Sequence, residues 1–323
     1  MKILSNKFRQ AQPYREIKYF AVFVLLLTPL IICILCFKSP NSPGKHVAIN
    51  HSTMFNTDVI GTSILFTAFF IEFLLLLLHK PDKKVVKDIA ANFSIGICTI
   101  LVGVFEKGAA FSLYSLMYAF AIFKPHPDWW LWIAAFFSCD FIHYVYHRLG
   151  HKTRLFWAAH VTHHSSKHFN LSTGLRTNSI HVFYRFIFWS PLCILGIPPE
   201  MILFIESITA SQNFLVHTEN IGKLGVLDWV FNTPSNHRVH HGSNPEYIDK
   251  NLGGILMIYD HLFGTYAKET TLPVYGITHN IDTCNPVKIL LHEYIHMSKE
   301  LSAIKGFMVR LRYLFSRPNK NEI

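Results

Sequence analysis

The chain has 323 residues, of which 50% are hydrophobic and only 15% are charged. Because soluble globular domains carry about a quarter charged residues, this composition excludes a disordered chain and disfavours a water-soluble enzyme. The formal net charge of +10 is compatible with nucleic-acid binding, but no motif that reads RNA or DNA accompanies it. The chain also contains 20 histidines, as many as its aspartates and glutamates together. This excess indicates a metal site.

Long apolar runs predict membrane-spanning helices along the first two thirds of the chain. The predicted spans are 19–37, 62–78, 89–105, 111–123 and 129–149, followed by an apolar pair at 179–197 and 201–216. We expect a break between the third and fourth spans at Glu106, Lys107 and Gly108. A second break is expected within the last pair, where the helix restarts at Pro198 and Pro199.

The number of crossings conflicts with the distribution of basic residues. Basic clusters before the first span and after the second place both of these segments on the cytosolic side. If the next three spans all crossed, His147 would emerge on the opposite side, although Arg148 and Lys152 favour the cytosolic side. One of the three is therefore expected to be re-entrant or interfacial, and 111–123 is the shortest.

Three histidine clusters follow the fifth span. They are His147-Arg-Leu-Gly-His151, His160-Val-Thr-His163-His164 and His237-Arg-Val-His240-His241. Residues three and four apart share a face of an α-helix, so each cluster is expected to present two or three imidazoles to one point. Imidazole binds iron, zinc, copper or nickel, and eight histidines exceed the four ligands of one tetrahedral zinc. The clusters therefore predict a site for two metals.

These patterns predict an all-α, polytopic membrane protein. Its transmembrane helix hairpins are expected to carry a helical cap on the cytosolic side, and the cap to hold the histidine-rich site for two metals. We divide the chain into an N-terminal transmembrane region (1–128), a histidine-box catalytic domain (129–297) and a basic C-terminal tail (298–323). The tail is expected to lie on the membrane surface.

Around the histidine clusters the sequence resembles the fatty acid hydroxylase superfamily, the histidine-box membrane enzymes that include the sterol desaturases. The matching stretches are 140–151, 160–176, 217–219, 232–242, 248–253, 260–265 and 275–279. The residues that flank the boxes are most similar to the alkylglycerol monooxygenase branch. The resemblance implies a membrane-bound di-iron oxygenase that inserts oxygen into a C–H bond of a lipid. A sterol or fatty-acyl desaturase or hydroxylase of the same superfamily is the alternative.

The resemblance also implies which residues bind the metals. The expected ligands are the eight box histidines with one more added, namely His147, His151, His160, His163, His164, His217, His237, His240 and His241. Superfamily members often have a further histidine where this chain has Asn213, so the site has one nitrogen fewer or uses that amide or a water. Where the alkylglycerol branch has a glutamate after the second histidine of the first box, this chain has Lys152.

Four other residues are expected to act beside the ligands. Asp140 is expected to accept a hydrogen bond from the free N–H of a ligand, and His143 to support the ligands from one turn before the first box. Arg238 is a candidate for orienting a lipid head group, with charge pairing to a carboxylate as the simpler alternative. His279 matches the alkylglycerol branch and is expected to contact the substrate or a ligand.

The expected cofactors are two iron ions. The sequence has no G-x-G-x-x-G after a predicted strand and no C-x-x-C-H, so no flavin or haem is predicted. The resemblance implies an external electron donor, either a tetrahydropterin, as in the alkylglycerol branch, or an electron-transfer protein, as in the sterol branch. The expected partners are therefore a lipid substrate, the electron donor and the membrane, and no nucleic acid.

Two other classes of function stay open. The segment His292-Glu293-Tyr294-Ile295-His296 fits H-E-x-x-H, in which the histidines bind zinc and the glutamate is the general base of a metalloprotease. A metal transporter would place its histidines in discontinuous helices at the bilayer midplane, often in repeated halves. Here the histidines follow the ends of spans and no repeat is present, so the oxygenase is the preferred hypothesis.

Overall fold

In the computed structural model the described residues are Phe70, Glu72, Leu74, 81–126 and 128–318. Within them the chain is all-helical, as predicted, and the β-pairing is limited to two isolated bridges. The predicted spans at 19–37 and 62–78 lie outside the described residues, except for Phe70, Glu72 and Leu74, which are helical.

The helices are joined by short connections at first, and by longer segments without helix at 241–257 and 263–285. The α-helices are α1 (Lys83–Ala119), α2 (Trp129–Lys152), α3 (Arg154–His164), α4 (Ser190–Ile194), α5 (Pro199–Leu215), α6 (Val226–Val230), α7 (Pro234–His240), α8 (Ile258–Leu262), α9 (Pro286–Ala303) and α10 (Phe307–Leu314). Three 3₁₀ helices lie between α3 and α4, at Leu171–Leu175, Ser179–Phe183 and Arg185–Phe188.

Helix α1 is continuous through the residues at which the sequence predicted a break. It has 37 residues and is about 55 Å long at 1.5 Å per residue, so the prediction of two separate helices is wrong. Glu106 is buried and accepts a hydrogen bond from Arg185, which compensates its charge inside the protein. Gly108 faces open space and costs the helix only about 1 kcal/mol relative to alanine. Among the described helices, α1 is the one long and apolar enough to cross a membrane.

Helices α1, α2, α4 and α5 enclose one apolar core. Each contributes a fully buried side chain to it, for example Tyr114 from α1, Ala135 from α2, Cys193 from α4 and Ile202 from α5. Burial of such side chains stabilises the fold by about 25 cal/mol per Å² of apolar surface. The core therefore fixes the end of α2, from which two of the histidines project.

The apolar run at 179–197 does not form the single helix that its composition predicted. It is divided into two 3₁₀ helices and the five-residue helix α4. Pro191 lies in the first turn of α4, and its ring would clash with the carbonyl four residues earlier if one helix ran through. Helix α5 then begins at Pro199, close to the predicted restart, and leads back to the histidines.

A buried network fastens the start of α1 to the end of α3. Arg176 donates hydrogen bonds to Asp88 (3.1 Å) and Asn92 (2.9 Å) on α1. The same guanidinium donates to the carbonyl of Thr162 (3.0 Å) and the hydroxyl of Ser165 at the end of α3. Removing one partner of a buried ion pair costs about 3–5 kcal/mol. The network therefore holds the first turns of α1 beside the histidines of α3.

Candidate metal centre

Nine histidines converge from α2, α3, α7 and the segment after α5. Their nitrogens form two groups, in each of which the potential ligand atoms lie within 4.8 Å of one another. The five-histidine group contains His147, His151, His160, His164 and His240, and the four-histidine group contains His163, His217, His237 and His241. All nine histidines that the sequence analysis named as ligands thus lie in one group or the other.

Each H-x-x-H-H box contributes to both groups. In the box on α3, His160 and His164 are four residues apart and belong to the five-histidine group, while His163 belongs to the four-histidine group. The box on α7 has the reverse assignment, because only its middle residue, His240, belongs to the five-histidine group. Two imidazoles of each box therefore share a point, as expected, while the third histidine of each H-x-x-H-H box faces the other group. The rings of His164 and His241 stack with centroids 4.5 Å apart, so the two groups are neighbours.

A short loop holds the imidazoles of the five-histidine group. We call residues 249–256 the orienting loop. His147 Nδ1 donates a hydrogen bond to the carbonyl of Leu252 (2.9 Å), and His240 Nδ1 donates to that of Lys250 (3.0 Å). An imidazole that donates through Nδ1 keeps its lone pair on Nε2. The orienting loop thereby fixes the tautomer and the direction of two candidate ligands, as backbone carbonyls do in known metal sites.

Asp249 of the orienting loop faces a third histidine of the same group. Its Oδ1 lies 3.6 Å from His151 Nδ1, and its Oδ2 accepts a hydrogen bond from Lys152. Burial alone would raise the pKa of Asp249, but His151 and Lys152 lower it to about 2, so the carboxylate is ionised. Lys152, the residue at which this sequence differs from the alkylglycerol branch, is therefore the outer member of a row of contacts that runs through Asp249 to His151.

Two buried aspartates hold the orienting loop in place. Asp260 accepts two backbone N–H groups from the middle of the loop (2.7 Å each), and Asp140 accepts two near its end (2.8 and 3.1 Å). This corrects the expectation that Asp140 bonds a ligand directly, because both of its oxygens bind the loop. Gly254 permits this approach, since a Cβ there would lie 2.7 Å from Asp140 Oδ1 and 2.9 Å from His143.

The sequence analysis quoted residues 248–253 as a matching stretch but assigned them no role. Asp249 and Asn251 have φ angles of 60° and 54°, in the left-handed region that Asp and Asn enter more readily than most residues. An Asp-x-Asn pair followed by Gly253 and Gly254 is thus a sequence signal for a tight loop. The signal does not say which histidines such a loop would hold.

The four-histidine group has more nitrogen lone pairs than it has N–H groups to bond them. His217 Nδ1 donates to the carbonyl of Asn213 (2.6 Å), which leaves only a lone pair on Nε2. That atom lies 2.9 to 3.2 Å from the Nε2 atoms of the three other members, His163, His237 and His241. A neutral imidazole has one N–H, and one lone pair accepts one hydrogen bond. The remaining lone pairs face one another, and a cation between them would remove this repulsion.

The five-histidine group also has nitrogens that the protein leaves unused. In the described part of the chain, Nε2 of His151 and Nε2 of His240 are buried without a hydrogen-bond partner. Buried polar atoms in folded proteins are nearly always paired. Together with the facing lone pairs of the four-histidine group, these atoms fit two metal ions, one in each group.

Burial keeps the imidazoles neutral, which is the form that binds metals. Burial, together with neighbouring imidazoles, lowers the pKa well below its usual value for six members: His160, His163, His164, His237, His240 and His241. Burial lowers the pKa of His217 to about 4. At neutral pH these seven rings therefore offer lone pairs rather than positive charges.

His143 and Asn213 contact each other and join neither group. Asn213 Nδ2 donates to His143 Nε2 at 3.4 Å, and the His143 ring lies edge-on to that of His147, with centroids 5.7 Å apart. The carbonyl of Asn213, not its amide, is the atom that bonds His217. His143 therefore packs beside a candidate ligand, and the Asn213 side chain supports that packing.

Arg238 and His279 are not positioned for the predicted contacts with a lipid head group or a metal ligand. Arg238 is paired with Glu269 and donates to two carbonyls of the segment 218–221 (3.1 and 2.7 Å). The simpler alternative of carboxylate pairing therefore holds, and Arg238 stabilises the segment that follows His217. His279 is exposed and belongs to neither histidine group.

The H-E-x-x-H segment forms no group of potential ligands within the described residues. It lies on α9, where Glu293 is buried and ion-paired with Arg154. Arg154 Nη2 also lies 3.3 Å from His296 Nδ1, and His292 Nδ1 donates to the carbonyl of Ile289 (2.8 Å). A glutamate that neutralises a buried arginine does not serve as a general base, so this geometry argues against the metalloprotease.

Comparisons with known proteins place these residues in a family. A family model described as fatty acid hydroxylase matches residues 132–265, which include all nine histidines and the orienting loop. Human alkylglycerol monooxygenase is 36% identical over 261 residues, which are 78% of this chain and 58% of that protein. The alkylglycerol monooxygenase of Xenopus tropicalis is 33% identical over 262 residues, 80% of this chain and 58% of that protein.

A bacterial relative extends the similarity. Ornithine lipid hydroxylase OlsE of Rhizobium tropici is 27% identical over 255 residues, 76% of this chain and 66% of that protein. The chain spans 58% of the length of the human and Xenopus tropicalis alkylglycerol monooxygenases. No solved structure matches the chain. The family model, the curated relatives and the two histidine groups agree that residues 132–265 of the chain are similar to the fatty acid hydroxylase family.

Proposed function

We propose that the chain is a membrane-bound, non-haem di-iron monooxygenase that inserts an oxygen atom into a C–H bond of a lipid. The observation that carries the proposal is the separation of nine histidines into a group of five and a group of four. Tetrahedral sites use four ligands and octahedral sites use six. Nine imidazoles therefore exceed what one ion can bind and suit a pair of ions.

The donor set supports iron as the metal. Neither group contains a carboxylate, whereas calcium and magnesium require oxygen ligands. Imidazole nitrogen suits iron, zinc and copper, but zinc has no redox chemistry and the named relatives are monooxygenases or hydroxylases. When bound, the two irons would supply the oxidising power that cleavage of an unactivated C–H bond requires.

The protein's own residues would hold this chemistry in a fixed and dry site. The carbonyls of the orienting loop and of Asn213 keep three Nε2 lone pairs directed inward. Seven of the nine histidines are buried, and exclusion of water protects an oxidising site from side reactions. The Arg176 network holds α3, and with it three ligands, at one position relative to α1.

We further propose that α1 spans the membrane in a multi-pass protein and that α2, which is shorter and less apolar than α1, returns the chain to the cytosolic side, where the metal centre lies. Because the two predicted spans merge into α1, one crossing disappears and the conflict over His147 is removed. Three lysines at the start of α1 and the pair Arg148 and Lys152 at the end of α2 then lie on the same side, as the positive-inside rule requires. In this arrangement, residues 1–128 form the transmembrane region, 129–297 the catalytic domain and 298–323 the tail.

The proposed substrate is a lipid with an alkyl chain close to a polar head group. The names of two relatives refer to alkylglycerol and to ornithine lipid, and both lipids match this description. The alkylglycerol relatives support a tetrahydropterin as electron donor, and an electron-transfer protein is the alternative. Desaturation instead of oxygen insertion is the alternative reaction.

The test is lipid profiling by mass spectrometry under ¹⁸O₂, with the full chain expressed in cells and compared with an empty vector. Label in an alcohol or aldehyde derived from a cellular lipid is expected. A product with a new double bond and no label would favour desaturation, and an unchanged lipid profile would contradict the proposal. His292→Ala is the matched control for histidine removal, since His292 lies outside both groups and the variant should retain the activity.

A further inference from the structure

Helix α10 presents an exposed apolar face away from the protein. Its inward side is marked by Tyr313, whose hydroxyl accepts a hydrogen bond from Arg154 Nε (2.9 Å). On the other side Phe307, Met308 and Phe315 are 76%, 70% and 59% exposed. Side chains of this size are rarely left in water as a continuous patch without a partner.

The same helix carries a groove and a positive charge. The groove has a volume of about 350 Å³ and is lined by Met308, Val309, Leu311, Arg312 and Phe315. Residues 301–318 contain four basic side chains and no acidic one, and all four are exposed: Lys305, Arg310, Arg312 and Arg317. An apolar face with basic residues along its borders is the pattern of a helix that lies in the surface of an anionic membrane.

We propose that α10 lies in the plane of the membrane surface and binds anionic phospholipids. Its apolar face enters the region of the acyl chains, the groove receives part of one chain, and Arg312 at the groove contacts the phosphate of the same lipid. The occupant is a lipid and not a protein segment, because the positive charge, which no acidic side chain of the described residues pairs, complements a uniformly anionic surface. The proposal does not depend on the metals or on the reaction.

The attachment of α10 gives this contact a consequence for the histidines. Arg154 is the first residue of α3 and is 1% exposed. It bonds Tyr313 through its side chain, and its backbone N–H donates to the carbonyl of Ser316 (2.8 Å). The same guanidinium is paired with Glu293 of the unused H-E-x-x-H segment. Glu293 thus serves to anchor α9, α10 and α3 together, and α10 sets the depth of α3 relative to the membrane surface.

The experiment is photo-crosslinking of the full chain in vesicles. The protein is reconstituted in phosphatidylcholine that contains a trace of diazirine-labelled phosphatidylglycerol or, in parallel, of diazirine-labelled phosphatidylcholine. Adducts are mapped to peptides by mass spectrometry. We expect adducts within 307–315 with both probes, and about fivefold more with the phosphatidylglycerol, the factor expected for one basic residue near an anionic surface. Peptides of α1 around the exposed Val104 and Phe105 verify insertion.

Reversal of basic residues then tests whether the labelling depends on binding of the anionic head group and not only on exposure of α10. Arg312→Glu with Arg317→Glu should reduce the phosphatidylglycerol adducts to the phosphatidylcholine level. Lys223→Glu with Lys268→Glu makes the same change in net charge at exposed sites elsewhere and should keep the preference. Absence of adducts in 307–315 while α1 is labelled would overturn the proposal. So would equal labelling by the two lipids, or a preference that survives reversal at Arg312 and Arg317. None of these readouts needs bound metal or turnover, so this proposal can fail without the proposed function failing.

Discussion

The two histidine groups have the same ligand chemistry but are held by different parts of the fold. In the five-histidine group, a loop supplies the second contact of three rings, through the carbonyls of Lys250 and Leu252 and the carboxylate of Asp249. In the four-histidine group, His217 is held by a carbonyl one turn earlier on α5. The ring of Phe169 packs against His217, with centroids 5.5 Å apart. One group depends on a loop and the other on helices and packing.

The groups also differ in the number of nitrogens and in the charges beside them. A cavity of about 20 Å³ borders both groups and is lined by His151, His164 and His240 of the five-histidine group and by His241 of the four-histidine group. This volume has room for about one water molecule. The five-histidine group alone has a fifth nitrogen and borders the charged pair of Asp249 and Lys152. The five-histidine group can therefore lose one nitrogen and still offer four, whereas the four-histidine group has no additional nitrogen.

Removal of one ligand should have the largest effect, and the amount of metal that remains should differ between the two groups. His163→Ala leaves three nitrogens in its group, so the metal content should fall from two ions to about one per chain. His240→Ala leaves four, so more metal should remain. Both variants should lose activity, because the proposed reaction uses both ions. Inductively coupled plasma mass spectrometry of the purified chains gives the stoichiometry.

Two outcomes would contradict this comparison. Equal metal loss in the two variants would show that the groups do not differ in redundancy. Full activity in either variant would remove that histidine from the ligand set. Since either substitution creates a cavity in a buried site, circular dichroism of the variants is needed to show that the helices are intact.

Substitution of Asp249 tests whether the orienting loop acts on one group alone. Asp249→Asn keeps the shape and tolerates the left-handed backbone at φ 60°, but it removes the charge that faces His151. Loss of such a contact weakens metal affinity about 10- to 100-fold. We expect this loss for one of the two ions in a metal titration, with the other unchanged. Activity should fall in parallel with occupancy.

The chain contains a matched control for Asp249→Asn. Asp282 also has a positive φ (45°) and is also paired with a lysine, Lys167, but the pair is exposed and lies outside both groups. Asp282→Asn should therefore leave the affinity for both ions unchanged. If the two aspartate variants behaved alike, or if Asp249→Asn weakened both ions equally, the loop would have no selective role.

The sequence predicted the all-helical class and the histidines that meet, because both depend on local spacing and residue chemistry. The i, i+3 and i+4 spacing places imidazoles on one side of a helix whatever the rest of the fold does. The division of the two H-x-x-H-H boxes between the groups depends on how α3 and α7 face each other, which is tertiary information. The orienting loop was missed for the same reason, since its contacts to His147 join residues 105 positions apart.

The wrong predictions for Glu106 and Asp140 have a common cause, because each carboxylate is bonded by residues that lie far away in the sequence. The predicted break at Glu106 is absent, because Arg185 compensates this carboxylate from another segment. The predicted hydrogen bond from Asp140 to a ligand is absent, because the backbone of the orienting loop bonds both of its oxygens. In each case the partner lies far away in sequence and has no local signal.

Substitution of Asn213 should have the smallest effect, and it tests whether the four-histidine group has a further ligand. The bond to His217 uses the backbone carbonyl, which every residue has, and the amide contacts only His143 at 3.4 Å. Asn213→Ala should therefore retain two metals per chain and lower stability by about 1 kcal/mol, the value of one side-chain hydrogen bond. Metal analysis and thermal unfolding check the two expectations. A loss of one ion would show that the amide takes the place of the histidine found in other superfamily members, and the four-histidine group would then have a fifth ligand of its own.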